Sequence, residues 1–90
     1  MMIIVDLEAV KALADESRVE ILNLLRKAEM NVNDIADKSS VSRPTISHHL
    51  QIMKKAGILN ATKDGKETYY SINKNKMLSL AQSILSYVEW

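Results

Sequence analysis

His48 and His49 stand side by side in the stretch "SRPTISHHLQIMKKAG", Ser42 to Gly57, and they are the only histidines in a chain that has no cysteine. Imidazole can ligate a metal, move a proton or hydrogen-bond a phosphate, so chemistry is sought here first. Consecutive residues on a helix point about 100° apart, and side chains that clamp one ion lie three or four positions apart, so the pair does not form a shared metal site. Around them lie Ser42, Arg43, Thr45, Ser47, Gln51, Lys54 and Lys55. Arg43 can pair bidentately with guanine O6 and N7, and Gln51 with adenine N6 and N7. Ser47 and His48 can donate to base or phosphate, and the two lysines reach phosphate. No Ser, His and acid constellation and no phosphate-cradling glycine loop accompanies these groups, so an enzyme is not expected.

Positioning these groups requires a helix. With Ile46 as the centre of a buried stripe, Leu50, Met53 and Gly57 fall within about 40° of it. Pro44, His48, Gln51 and Lys55 then face the opposite way, flanked by Arg43, Thr45, Ser47 and Lys54. His49 lies about 60° from the stripe's centre and is expected to be a partly covered, packed side chain, with a phosphate contact open to its outer nitrogen. Ser42 is a good N-cap, Pro44 is tolerated in the first turn, and Gly57 supplies a left-handed stop after Ala56.

Charge along the chain points the same way. Residues 1–37 carry four basic and eight acidic side chains, a net of −4. Between Lys38 and Lys66 six basic residues (Lys38, Arg43, Lys54, Lys55, Lys63 and Lys66) face only Asp64, a net of +5, and the remainder sums to zero. An overall charge of +1 thus hides a polarised molecule whose positive segment carries the histidine pair, the footprint of a surface turned toward polyanion.

The flanking segments read as one small unit without repeats or long linkers. The opening "MMIIV" is too short for a signal core or a membrane span, and the absence of cysteine is compatible with an intracellular, cytoplasmic home. "DLEAVKALA" predicts a first helix capped by Asp6, with Leu7, Val10, Leu13 and Ala14 on one face. Asp15 caps a second helix carrying Val19, Ile21, Leu22, Leu24, Leu25 and Ala28, the expected centre of the core. Asn31 caps a short third helix with Val32, Ile35 and Ala36 inward, and "SSVS" turns around Val41 into the histidine-bearing helix. After Gly57, "ILNATK" and "KETYYSI" flank Asp64-Gly65, a two-residue hairpin signal in which both turn positions want positive φ. That loop pairs Lys63 with Lys66, Ala61 with Thr68 and Leu59 with Tyr70, and collects Leu59, Ala61, Tyr70 and Ile72 on one face. A last helix runs from about Lys74 to Glu89.

A short helix, a tight turn and a second helix with an outward face of Arg, Thr, Ser, His, Gln and Lys make a helix-turn-helix, whose second helix enters the major groove. The segments "LADESRVEILNLL", "VNDIADKSSVSRPTISHHLQIMKKAGIL" and "GKETYYSIN" resemble successive signatures of the ArsR-type winged-helix repressors and cover nearly the whole chain. The resemblance implies a mainly α (α+β) winged helix-turn-helix in the order α-α-α-α-β-β-α, with residues 1–90 as a single domain. It also implies a homodimer and repression through an inverted repeat of double-stranded DNA at a promoter. Carried onto this sequence, the recognition helix is Arg43 to Ala56, and the wing is Ile58 to Ile72 with Lys63, Asp64, Gly65 and Lys66 at its tip. The DNA-binding set is then Ser42, Arg43, Pro44, Thr45, Ser47, His48, Gln51, Lys54, Lys55, Lys63 and Lys66.

Two departures from the family are visible. Where many members sense metal through a Cys-x-Cys, this chain reads "MNVND", with Asn31 and Asn33, and amide oxygens are poor ligands for soft metals. A second family site uses Asp, His and Glu along the last helix, which here offers Glu89 alone. No metal or other cofactor is expected, and the chain is similar to small autorepressors carrying "SxPxISHHL" and "YYSxN" segments.

The last helix, with the first, is the expected dimer surface: Leu7, Val10, Met77, Leu80, Ala81, Ile84, Leu85 and Val88 form an apolar stripe longer than so small a core needs. At the level of sequence the stripe could instead pack on the second helix of its own chain. Two other functional readings stay open: a winged helix that docks proteins rather than DNA, and a metal sensor pairing His48 or His49 with a carboxylate across subunits. No inducer or further partner is legible.

Overall fold

The computed structural model describes residues 5–88, so the expectations that fell on Met1 to Ile4 and on Glu89 lie outside the described residues. Seven elements follow one another: α1 (Leu7–Leu13), α2 (Glu16–Leu25), α3 (Val32–Lys38), α4 (Arg43–Lys55), β1 (Leu59–Asp64), β2 (Glu67–Ile72) and α5 (Lys74–Leu85). Four helices start where a short polar side chain satisfies a free first-turn N–H. Asp6 accepts from the Ala9 N–H, and Asp15 from the Arg18 N–H, each at 3.1 Å. Asn73 does the same for the Lys76 N–H. Asn31 and Asp34 form a reciprocal capping box, with Asn31 Oδ1 accepting at 2.8 Å. Ser42 occupies the N-cap position of α4, yet its side chain does not cap; the hydroxyl donates to Thr45 Oγ1 at 3.0 Å instead.

The core gathers on α4 rather than on α2. Ile46, Leu50 and Met53 of α4 are wholly enclosed, against Ile21, Leu22 and Leu25 from α2, Ile35 from α3 and Ile58 beyond the helix stop. Val19, expected inside, is exposed, and Ala28 lies exposed past the end of α2. The inward face of α1 is also different from the expected one: Ala9 and Ala12 are buried, Val10 and Leu13 half-buried, and Leu7 and Ala14 exposed. Alanines carry no long side chain, so α1 can lie close against α2 and α4 through them, and that close approach turns its larger residues outward.

β1 and β2 are antiparallel, with Leu59 opposite Ile72, Ala61 opposite Tyr70, Lys63 opposite Thr68 and Asp64 opposite Glu67. The two-residue loop is therefore Gly65-Lys66, one position later than the expected Asp64-Gly65. Gly65 has φ +65° and no non-glycine residue has a positive φ, the signs of a turn with glycine at its first central position. The shifted loop spares Asp64 a left-handed backbone. Moving both strand ends together preserves which residues share a face, so Leu59, Ala61, Tyr70 and Ile72 still lie on one side. Met30 adds a bridge to the outer edge of β2, its N–H donating to the Tyr70 carbonyl at 3.1 Å and its carbonyl accepting from the Tyr70 N–H at 2.8 Å.

Gly57 ends α4 at φ +82°, and the stem of Lys76 lies over it. The Lys76 ammonium continues to Asp6, donating at 2.6 Å, so one side chain joins α5, the end of α4 and the start of α1. α5 stops at Leu85, shorter than expected, and residues 86–88 form a turn. No helix among the described residues is long and apolar enough to cross a membrane.

Candidate nucleic-acid interface

α3 and α4, joined by the turn at Ser39 to Ser42, present one continuous polar surface. Ser42, Arg43, Pro44, Thr45, His48, Gln51, Lys54 and Lys55 are exposed along it, and Ser47 is half-covered. Lys63 and Lys66 are exposed at the hairpin tip, beside Asp64 and Glu67. All six cations of the positive segment reach solvent, and among the described residues none of them is in an ion pair. The pairs that exist, Arg18 and His49 with Asp15 and Lys76 with Asp6, leave this surface's charge unneutralised. A rod of thirteen residues is about 20 Å long and fits the major groove of B-DNA across its width of about 12 Å. Uncompensated Lys and Arg on such a rod suit phosphate, and Arg43, His48 and Gln51 suit base edges.

The adjacent histidines part company. His48 is exposed; His49 is 9% exposed, its ring tilted away by 49°. His49 Nε2 faces Asp15 Oδ2 at 3.9 Å, beyond hydrogen-bond reach, and its Nδ1 is enclosed without a partner. Of its two nitrogens only Nδ1 is enclosed; Nε2, the outer one, is turned toward Asp15. Asp15 thus serves as the cap of α2 and as the neighbour of both Arg18 and the recognition-helix imidazole. Among the described residues no three His, Asp or Glu side chains converge as a metal site would require.

Gln51 also departs from expectation. It is exposed, but its Nε2 donates to the Tyr70 hydroxyl at 3.2 Å, tying α4 to the hairpin. Nineteen residues separate the two, and only the register of β2 against Met30 brings the tyrosine there, so no local pattern signals the bond.

A second surface is apolar. Ile84 and Leu85 are 50% exposed and Val88 68%, Ala81 is exposed, and Leu7 is 65% exposed on α1. Leu78 and Tyr87 are exposed as well, although the spacing did not single them out. Two residues expected on this surface are used inside the chain instead: Leu80 is buried in the core, and Met77 and Val10 are half-buried against it. The helical turn that points Leu80 at the core points Ala81, Ile84, Leu85 and Val88 past it.

Four helices, a two-stranded hairpin and a closing helix, with a free polar recognition helix beside a cationic hairpin tip, define a winged helix-turn-helix protein. Residues 15–61 match the family described as bacterial regulatory protein, arsR family. The transcriptional repressor SdpR of Bacillus subtilis is 36% identical over 78 residues, which are 87% of this chain and 87% of that one. The cadmium resistance transcriptional regulatory protein CadC of Listeria innocua is 40% identical over 80 residues, 88% of this chain and 67% of that one. Among solved structures, the homodimeric winged helix-turn-helix DNA-binding domain of a possible ArsR-family regulator from Mycobacterium bovis superposes with a TM-score of 0.74 at 31% identity, over 89% of this chain and 77% of that one. The chain belongs to the ArsR family: it is a DNA-binding transcriptional regulator of the repressor class, and not an enzyme.

The family's metal donors do not fit this chain. The Asn31 carboxamide is occupied as the α3 cap and nearly buried, Asn33 is exposed, and α5 from Lys74 to Leu85 contains no His, Asp or Glu.

Proposed function

We propose that the chain is a homodimeric repressor that works in the cytoplasm without metal, occupying an inverted repeat at a promoter and blocking polymerase sterically. α4 enters the major groove and the β1–β2 hairpin lies as a wing on the neighbouring backbone. The observation that carries this reading is the division of α4, whose stripe of Ile46, Leu50 and Met53 is wholly enclosed while Arg43, Thr45, His48, Gln51, Lys54 and Lys55 are exposed. Arg43 and Gln51 read base edges; Ser42, Pro44, Thr45, Ser47 and His48 line the first turns beside base and sugar-phosphate; Lys54, Lys55, Lys63 and Lys66 hold phosphates. Residues 1–90 act as one unit whose terminal helices pair through Leu7, Ala81, Ile84, Leu85 and Val88. A two-fold axis there repeats α4 about one DNA turn away, roughly 34 Å. The homodimeric state of the Mycobacterium bovis domain supports this arrangement.

Fluorescence anisotropy on an operator selected from the source genome and on a scrambled duplex, across a salt series, tests the reading. Operator affinity is expected to fall steeply with salt because several Lys and Arg displace counterions. Arg43→Ala should relax base preference by about 1–3 kcal/mol, whereas Lys66→Ala should weaken binding to every sequence and lower the salt slope by about 1. Equal binding of operator and scrambled DNA by the unaltered protein removes the proposal. The likeness to CadC favours a second reading, a metal sensor with a different donor set. Calorimetric zinc titration separates the two: stoichiometric uptake that weakens operator binding supports the sensor.

A further inference from the structure

α1, the start of α2 and the end of α4 do not close fully on one another. Between them lies a cleft of about 440 Å³, far more than the roughly 30 Å³ that one water occupies in the liquid. Ala12, Ile52 and Ala56 form its apolar wall, the two alanines buried and Ile52 half-buried. Lys11 and Lys55 also line it, both exposed and, among the described residues, in no ion pair. Arg18 is the third cation. Its side chain is 16% exposed, its Nε is enclosed without a hydrogen-bond partner, and Asp15 Oδ2 stays 3.9 Å away. That carboxylate already accepts from the Arg18 N–H as the cap of α2 and has His49 Nε2 beside it. The guanidinium therefore keeps donors unspent.

Glu8, exposed on α1, is the acid lining the cleft, so three cations face one carboxylate there, a net of +2. An apolar wall beneath a guanidinium and two ammonium groups is complementary to an amphiphilic anion. The apolar body of such a ligand lies on Ala12, Ile52 and Ala56, while its carboxylate meets the Arg18 fork with Lys11 and Lys55 on either side. Lys55 ties this cleft to the recognition surface, because the same side chain is one of those that hold operator phosphates. One ammonium cannot serve both anions at full strength.

We infer that the cleft between α1, α2 and α4 binds a small carboxylic acid with an apolar body, and that its occupation draws Lys55 away from the operator. The site stands on the cleft alone. The regulation rests on the proposed DNA-binding reading, to which it adds a means of release.

Benzoate serves as the probe, with acetate as a carboxylate lacking the body and benzamide as the body lacking the charge, all at matched ionic strength. Titrated into the isotope-labelled full chain, benzoate should shift the backbone amide signals of Ala12, Arg18, Ile52 and Ala56 and leave those of Lys63 and Lys66 in place. A dissociation constant on the order of 1 mM is expected for so small a ligand, with acetate and benzamide about tenfold weaker or more. Lys11→Gln and Arg18→Gln should each weaken benzoate about threefold or more, whereas Glu8→Gln should tighten it about twofold. Should loss of the largely enclosed Arg18 unfold the chain, the exposed Lys11 and Glu8 still decide. None of the three contacts DNA in the proposed arrangement, so operator affinity without benzoate should stay within about twofold. Saturating benzoate should lower operator affinity about fivefold and the salt slope by about 1, and operator should lower benzoate affinity by the same factor. Lys55→Gln should abolish that mutual effect. Equal binding of acetate or benzamide, shifts confined to the hairpin tip, or benzoate affinity unmoved by both Lys11→Gln and Glu8→Gln overturns the site. Benzoate bound in the cleft without effect on operator affinity overturns the regulation. Failure of the unaltered protein to distinguish operator from scrambled DNA would instead strike the underlying function, while the amide shifts still decide the site.

Discussion

α4 and α5 are of nearly equal length, thirteen residues and twelve, and each carries an apolar stripe at helical spacing. They meet opposite fates. The stripe of α4 is closed by its own chain: Ile46, Leu50 and Met53 have no accessible surface, Ile52 beside them is half-buried, and the polar side faces water. The stripe of α5 is closed only at Leu80, and its second half runs out beyond the core with Ile84, Leu85 and Val88 half-exposed or more. A helix finished within the protomer presents its polar side as the functional face, whereas a helix left unfinished presents its apolar side. On the proposed function the same periodicity in sequence encodes a recognition surface in one case and an association surface in the other, and what decides is whether enough core lies opposite.

Introducing charge on the unfinished helix is the hardest test of that contrast. Ile84→Glu with Leu85→Glu should leave the fold standing, since both side chains are exposed, but should split the dimer. Operator affinity would then drop by about 10²–10⁴ as the two half-sites lose their physical linkage. Sedimentation velocity together with anisotropy reads both consequences, and a double variant that still sediments as a dimer would move the association surface elsewhere. On the finished helix, truncation should act on stability rather than assembly. Leu50→Ala is expected to cost about 2–5 kcal/mol in urea unfolding, with no change in oligomeric state at protein concentrations where the fold persists.

How far the sequence disclosed these roles depends on the range of the interactions involved. Caps are legible at Asp6, Asp15 and Asn31 because the partner N–H lies three residues on, whereas the cap at Asn73 is found only in the structure and Ser42, expected to cap, does not. The outward face of α4 was legible because one period governs it. The hairpin loop was misplaced by one position, since the hydrophobic pattern is blind to a shift that keeps each residue on its face; only the backbone of Asp64, which avoids positive φ, distinguishes the two registers. On α1 the pattern favours Leu7 over Ala9 and Ala12, because size marks burial in a sequence where close helix approach requires smallness. Three long-range contacts could not be read at all: Asp15 beside His49, Tyr70 on Gln51, and Lys76 on Asp6. Each joins elements distant in the chain through polar atoms that no periodicity aligns.

The last of these contacts sharpens the contrast at its gentlest point, since it is a polar attachment of α5 to the rest of the protomer. The Lys76 ammonium donates to the Asp6 carboxylate, and that bond, followed by the Ala9 N–H, holds the Asp6 carboxyl below its ordinary value of 3.8. A carboxyl depressed in the folded state contributes stability that is fully present above its unfolded value and is lost as pH falls through the folded one. Urea midpoints followed from neutral pH down to about pH 2 should therefore show an acid-side loss in the unaltered protein. Asp6→Asn removes this term and should flatten that limb. Lys76→Met keeps a stem over Gly57 while deleting the ammonium, so Asp6 returns toward its ordinary value and the limb becomes shallower, the difference appearing as stability lost at neutral pH and none lost at the acid end. Both variants should remain dimeric and bind operator normally. Loss of dimerisation in either one would mean that the ion pair sets the angle at which α5 leaves the protomer, and that the unfinished helix is aimed by its polar anchor as well as by Leu80.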